Sequence, residues 1–385
     1  MAVGVELTAW QPASILTVLA ALISGTVSRL LSKSRSIPAS AVEIVLGIAF
    51  ANLLGWHPDN NLTRTVSDAG LFILLVSSGF ESGEEVVANR LGSGASLALI
   101  GAFSAAAFAL IGSVAAGFSL RVSLLFAVAV APTSVGIASR TFADLGLMRS
   151  RLASLVLAVA VIDDVVGIGL LLLAETFLIS TGHTQQLVVL AASVAVPLAL
   201  LAAIRLRRTR IESSGNRDPS SPLITSLLVV AALAIAAGGS IVVIAFFVGT
   251  ALAMFSKRDS PVDLSRLWRV GELIVPGFFF LAGTSVTISM PAFDTVVALV
   301  SMLIAVVMSR VIIGWIARRK VTDLVGFIVA LVPRGEVSLV VLSAGEFARI
   351  ISPSGYFAGV LMVVATSVAS PVLLSNRLSK HLPND

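Results

Sequence analysis

Two aspartates stand side by side in an apolar run, Leu157-Ala158-Val159-Ala160-Val161-Ile162-Asp163-Asp164-Val165-Val166-Gly167-Ile168-Gly169. A carboxylate at the centre of a membrane helix costs about 2.5–3.5 kcal/mol on insertion scales, so such a pair implies water, a cation or a proton. Two adjacent carboxylates repel when both are ionised, which makes a proton on one of them easy to exchange for a cation. The chemistry that follows is proton-coupled cation transport. Neighbouring helical residues point about 100° apart, so the two aspartates are expected to have different tasks. The other reading is a structural pair buried against a basic residue.

A basic residue is available in Arg310, within Ala305-Val306-Val307-Met308-Ser309-Arg310-Val311-Ile312-Ile313. An arginine in such a run needs an anion, and Asp163 or Asp164 is the natural partner. The alternative is that Arg310 snorkels to the interface about six residues away. Glu43, Glu81, Glu175, Arg334 and Glu336 also lie in or near apolar segments, and Glu81 and Glu175 read as interfacial.

Two prolines mark where the elements holding these charges must break. Ala131-Pro132-Thr133-Ser134-Val135-Gly136 and Val332-Pro333-Arg334-Gly335-Glu336-Val337 each sit mid-span, with polar residues directly after the proline. Proline removes a backbone donor and invites an extended break, and lipid does not tolerate free peptide groups. Such breaks persist where they line a cavity, whereas a lone proline reads as a packed kink. The two prolines are 201 residues and seven spans apart. An odd offset makes the two halves an inverted repeat.

The whole chain is built for lipid. It has 385 residues, 57% hydrophobic and 12% charged, and a mean hydropathy of +1.02. That charge density is about half of a soluble domain's and excludes soluble enzymes, nucleic-acid modules and disordered chains. Cysteine is absent, and His57, His183 and His381 read as loop or tail residues, so no cofactor and no resident metal centre are expected.

The fold class is therefore an all-α polytopic membrane protein. About thirteen transmembrane helices are expected at 12–32, 38–55, 67–83, 93–118, 121–143, 150–179, 187–205, 222–237, 240–256, 272–289, 294–316, 321–347 and 354–377. With that count, 21 of the 26 basic residues fall in loops on one side, three on the other and two inside spans. The positive-inside rule then puts the amino terminus outside and the carboxyl terminus in the cytoplasm. The first span lacks a basic residue before it and reads as a retained helix and not a cleaved signal. The setting implied is a bacterial inner membrane, with the basic run at 205–210 a cytoplasmic anchor.

These residues resemble the cation:proton antiporter superfamily in its sodium/proton exchanger branch. The resemblance rests on Asp163-Asp164 before Val-Val-Gly, Pro132 to Gly136, Pro276-Gly277-Phe278-Phe279-Phe280-Leu281-Ala282-Gly283, Pro333-Arg334-Gly335-Glu336 and Thr366 to Pro371. It implies two crossed discontinuous helices, a homodimer, and a mobile core of about 67–179 and 272–377. The scaffold would be about 12–55 and 187–256. Asp164 would be the carboxylate that transiently holds Na⁺, Asp163 its partner, and Thr133 and Ser134 the polar lining, with Pro132, Pro333 and Glu336 in support. Arg310 stands where many relatives carry a lysine paired to the first aspartate.

The function expected is a secondary antiporter, exchanging Na⁺ or Li⁺ for protons by an elevator-like motion. K⁺/H⁺ exchange is the alternative, followed by an ion channel. An intramembrane aspartyl protease needs its acids on separate helices, which an adjacent pair does not provide.

Overall fold

The structure, a computed structural model, describes residues 12–35, 37–55, 61–87, 94–148, 150–179, 240–255, 265–288 and 293–378, with isolated positions at 191, 229, 232 and 235. The expected spans 187–205 and 222–237 lie outside the described residues, as do His57, His183, His381 and the basic run at 205–210. The described residues form α1 (Pro12–Arg35), α2 (Ala39–Leu54), α3 (Asn61–Val87), α4 (Ala95–Ala115), α5 (Leu120–Val130), α6 (Val135–Asp144) and α7 (Arg151–Ala174). After these come α8 (Ile241–Phe255), α9 (Ser265–Thr284), α10 (Phe293–Ala317), α11 (Leu324–Ala330), α12 (Glu336–Phe347) and α13 (Pro353–Leu378).

Nine of the expected spans are thus continuous helices, and two are broken where the prolines predict. α5 and α6 are separated by 131–134, and α11 and α12 by 331–335. Two helices start earlier than their apolar runs. α3 begins at Asn61 and α9 at Ser265, because polar residues prolong a helix past the hydrocarbon region without cost. Pro276 lies inside α9 and does not end it.

Among the described residues, five segments, Ala95–Ala115, Leu120–Asp144, Arg151–Leu178, Phe293–Ala317 and Pro353–Arg377, are long and apolar enough to cross a membrane. Large apolar side chains such as Leu53, Ile111, Phe293 and Phe347 point outward, as a lipid-facing surface requires.

The helices pack in two groups. α1, α2, α3, α8 and α9 pack on one another, and α4 to α7 with α10 to α13 form the second group. α3 and α8 approach most closely at Gly79 and Gly249, where neither position has room for a Cβ beside the facing backbone. Among the described residues the groups meet thinly, through α7 against α3 and α8, through α13 against α2, and through the Tyr356 hydroxyl of α13, which donates to the Ala282 carbonyl of α9 at 2.9 Å.

Candidate ion-binding site

The two breaks cross beside α7. Ser134 donates its backbone N–H to the Pro333 carbonyl at 3.0 Å, so each break satisfies part of the other. The polar run on α13 does the rest. Thr366 Oγ1 accepts the Arg334 N–H at 3.2 Å, Ser367 donates to the Arg334 carbonyl at 2.7 Å, and Ser370 donates to the Val329 carbonyl at 2.7 Å. The Thr366 to Pro371 segment is therefore the backbone support for the second break.

Asp163 and Asp164 are both buried, at 0% and 1% exposure, and they face different partners. Asp163 Oδ2 accepts from Thr133 Oγ1 at 2.6 Å and from Arg310 Nη1 at 3.1 Å. Arg310 also donates to the Ala131 carbonyl at 3.3 Å, at the negative end of half-helix α5. It is fully buried, so it does not snorkel to the interface. Gly101 on α4 makes room for it, since a Cβ there would stand 2.8 Å from the guanidinium. Asp164 Oδ2 accepts from Ser78 of α3 at 3.2 Å.

Arg334 is the second fully buried arginine. Its Nη1 donates to Thr133 Oγ1 at 3.0 Å, while Nε and Nη2 have no partner among the described residues. Glu336 opens α12, where a carboxylate faces the positive end of a half-helix, and it accepts from Ser134 Oγ at 3.4 Å.

A cavity of about 1230 Å³ reaches this cluster, lined near its floor by Ser78, Ser134 and Glu336. Its mouth is formed by Arg29, Pro38, Arg140, Asp144, Glu272 and Ser375. These lie at the ends of α1, α2, α6, α9 and α13 that adjoin the basic loops. Glu43 and Glu81 line the wall, and Glu43 accepts from Ser28 at 2.6 Å. Glu81, read from sequence as interfacial, thus stands on the approach to the site.

The structure brings together Asp163, Asp164, Thr133, Ser134, Arg310 and Glu336, and it separates them by role. Thr133 is engaged by Asp163 and Arg334 and is absent from the cavity lining, whereas Ser134 reaches the cavity. Sequence reasoning missed Ser78, a serine in an ordinary Ser-Ser-Gly stretch with nothing local to single it out. It also left Arg334 without a task.

An all-helical membrane protein with two crossed broken helices, and buried carboxylates and arginines at the crossing, belongs to the class of secondary ion transporters. Residues 18–376 match the model of the sodium/hydrogen exchanger transmembrane family, and the chain belongs to that family. It is 23% identical over 378 residues to a Na(+)/H(+) antiporter of Enterococcus hirae, covering 94% of this chain and 97% of that one. It is 25% identical over 380 residues to the Na(+)/H(+)-K(+) antiporter GerN of Bacillus cereus, covering 93% and 94%. Among solved structures it is similar to the sodium proton antiporter MjNhaP1 of Methanocaldococcus jannaschii at pH 8. The TM-score there is 0.69 at 14% identity, with 96% and 97% covered, a likeness of fold.

Proposed function

We propose that the chain exchanges a monovalent cation, Na⁺ or Li⁺, for a proton at Asp164. The observation that carries this is a buried carboxylate that accepts from Ser78, which lines the cavity of about 1230 Å³ together with Ser134 and Glu336, and that has no arginine bonded to it among the described residues. A hard monovalent cation suits such oxygens, and a proton occupies the same carboxylate in its absence. Asp163 is held by Arg310 and stays ionised as the fixed partner. Ser134, Ser78 and Glu336 complete the polar floor.

The thin contact between the helix groups supports an elevator-like motion. We assign the mobile part to about 94–179 and 293–378 and the static part to 12–87 and 240–288, because α3 and α9 pack with α1, α2 and α8. This draws the boundaries later than the expected 67 and 272. The static part would carry a homodimer contact. With the amino terminus outside, the cavity opens to the cytoplasm of a bacterial inner membrane.

Purified protein in proteoliposomes with an interior pH dye, challenged in turn with Na⁺, Li⁺, K⁺ and choline, tests the reading. Na⁺ and Li⁺ are expected to drive proton movement, and Asp164→Asn to abolish it while the protein remains folded. Full exchange by Asp164→Asn would overturn the site. The B. cereus relative named as a Na(+)/H(+)-K(+) antiporter supports a second reading, in which K⁺ also drives protons. The K⁺ arm decides between them.

A further inference from the structure

Among the described residues, five ionisable side chains are buried at the crossing: Asp163, Asp164, Glu336, Arg310 and Arg334, none more than 8% exposed. They stand on α7, α10 and α12 and in the break before α12, so they travel together in the motion described above, on which this inference rests. Glu43 and Glu81 line the cavity wall but belong to α2 and α3, in the static group. The half-helix ends at the crossing cancel, since α6 and α12 start there and α5 and α11 finish there. Three carboxylates against two guanidiniums leave one negative charge.

Arg334 is the anomaly in this cluster. Arg310 has its ion pair with Asp163, whereas Arg334 makes no ion pair among the described residues and bonds a neutral hydroxyl. A permanently charged group without a paired anion must be balanced by charge nearby, or its burial is strongly disfavoured. Asp164 and Glu336 are the carboxylates of the cluster without an ion pair among the described residues, and Glu336 stands two residues from Arg334. Asp164 is left as the uncompensated charge.

We propose that Arg334 and Glu336 set the coupling of transport by charge balance, keeping the empty cluster at one negative charge so that one monovalent cation or one proton neutralises it. A neutral cluster crosses the low-dielectric interior, and a charged one is held back. The empty transporter therefore stays in place, and each cation outward requires one proton inward. Neither residue needs to touch the ion for this.

The test is a charge-swap series in proteoliposomes, reading Na⁺-driven proton flux and checking each variant for a monodisperse, folded elution. Glu336→Gln makes the empty cluster neutral and the loaded one positive, and is expected to lower flux by about tenfold or more. Arg334→Gln combined with Glu336→Gln restores one negative charge and is expected to raise flux at least about threefold above Glu336→Gln alone. A structural role for Glu336 makes the double variant worse than the single. A folded double variant no better than Glu336→Gln overturns the proposal. Should the double variant fail to fold, Glu336→Asp serves in its place, because it keeps the charge and is expected to recover flux that Glu336→Gln loses. Equal loss in folded Glu336→Asp and Glu336→Gln also overturns it. Asp164→Asn runs alongside, and exchange in that variant would instead strike the site reading itself.

Discussion

Asp163 receives two hydrogen bonds through one oxygen, from Thr133 and Arg310, while Asp164 receives that of Ser78 from across the group boundary. The difference argues for distinct consequences of removing each hydroxyl. Ser134→Ala is expected to raise the apparent KM for Na⁺ with little change in maximal rate, since it removes an oxygen from the cavity floor. Thr133→Val leaves Asp163 and Arg334 each short of a partner and is expected to cost about 1–3 kcal/mol of stability, read as a lower Tm in detergent. Equal KM shifts and no Tm change for both would contradict the division. At this scale the sequence was legible where charge interrupts apolar runs, because Asp163, Asp164, Arg310 and Glu336 cannot be there without a task. Ser78 was not, since a serine is nearly neutral in hydropathy and its importance comes from α3 lying against α7.

The broken helices show how an element is kept open in a membrane. Pro132 and Pro333 mark both breaks in the sequence, and they lie inside the observed interruptions at 131–134 and 331–335. The means of satisfying the freed backbone groups is non-local and reads less easily. Ser134 of one break bonds the other, and Ser367 and Ser370 reach in from α13. Ser367→Ala strands the buried Arg334 carbonyl and is expected to lower stability by about 1–3 kcal/mol. The loss should appear in thermal unfolding, and unchanged Tm would show that another donor satisfies the carbonyl. The grouping of α3 and α9 was hidden for the same reason. Apolar runs give the number of spans, while partner choice depends on close faces such as Gly79 against α8.

For the whole molecule, the cavity and the charge balance lead to two behaviours. Because the chain contains no cysteine, Ser77→Cys on the cavity wall is a clean reporter. It is expected to react with a membrane-impermeant maleimide from the cytoplasmic face, and labelling only from outside would reverse the orientation. With Asp163 held by Arg310, exchange is expected to be one for one and electrically silent. Na⁺-driven proton flux at a clamped potential of zero and of about −100 mV is then expected to be equal, whereas one net charge would feel about 2.3 kcal/mol over that range. The central claim, that one cation and one proton alternate on Asp164, is tested most directly by counting protons released when Na⁺ binds the purified protein. Titration calorimetry in buffers of different ionisation enthalpy gives that count. The account predicts one proton released per Na⁺ at pH values where Asp164 is protonated, apparent affinity rising about tenfold per pH unit there, and no release from Asp164→Asn. Binding without proton release, or release that persists in Asp164→Asn, would contradict it.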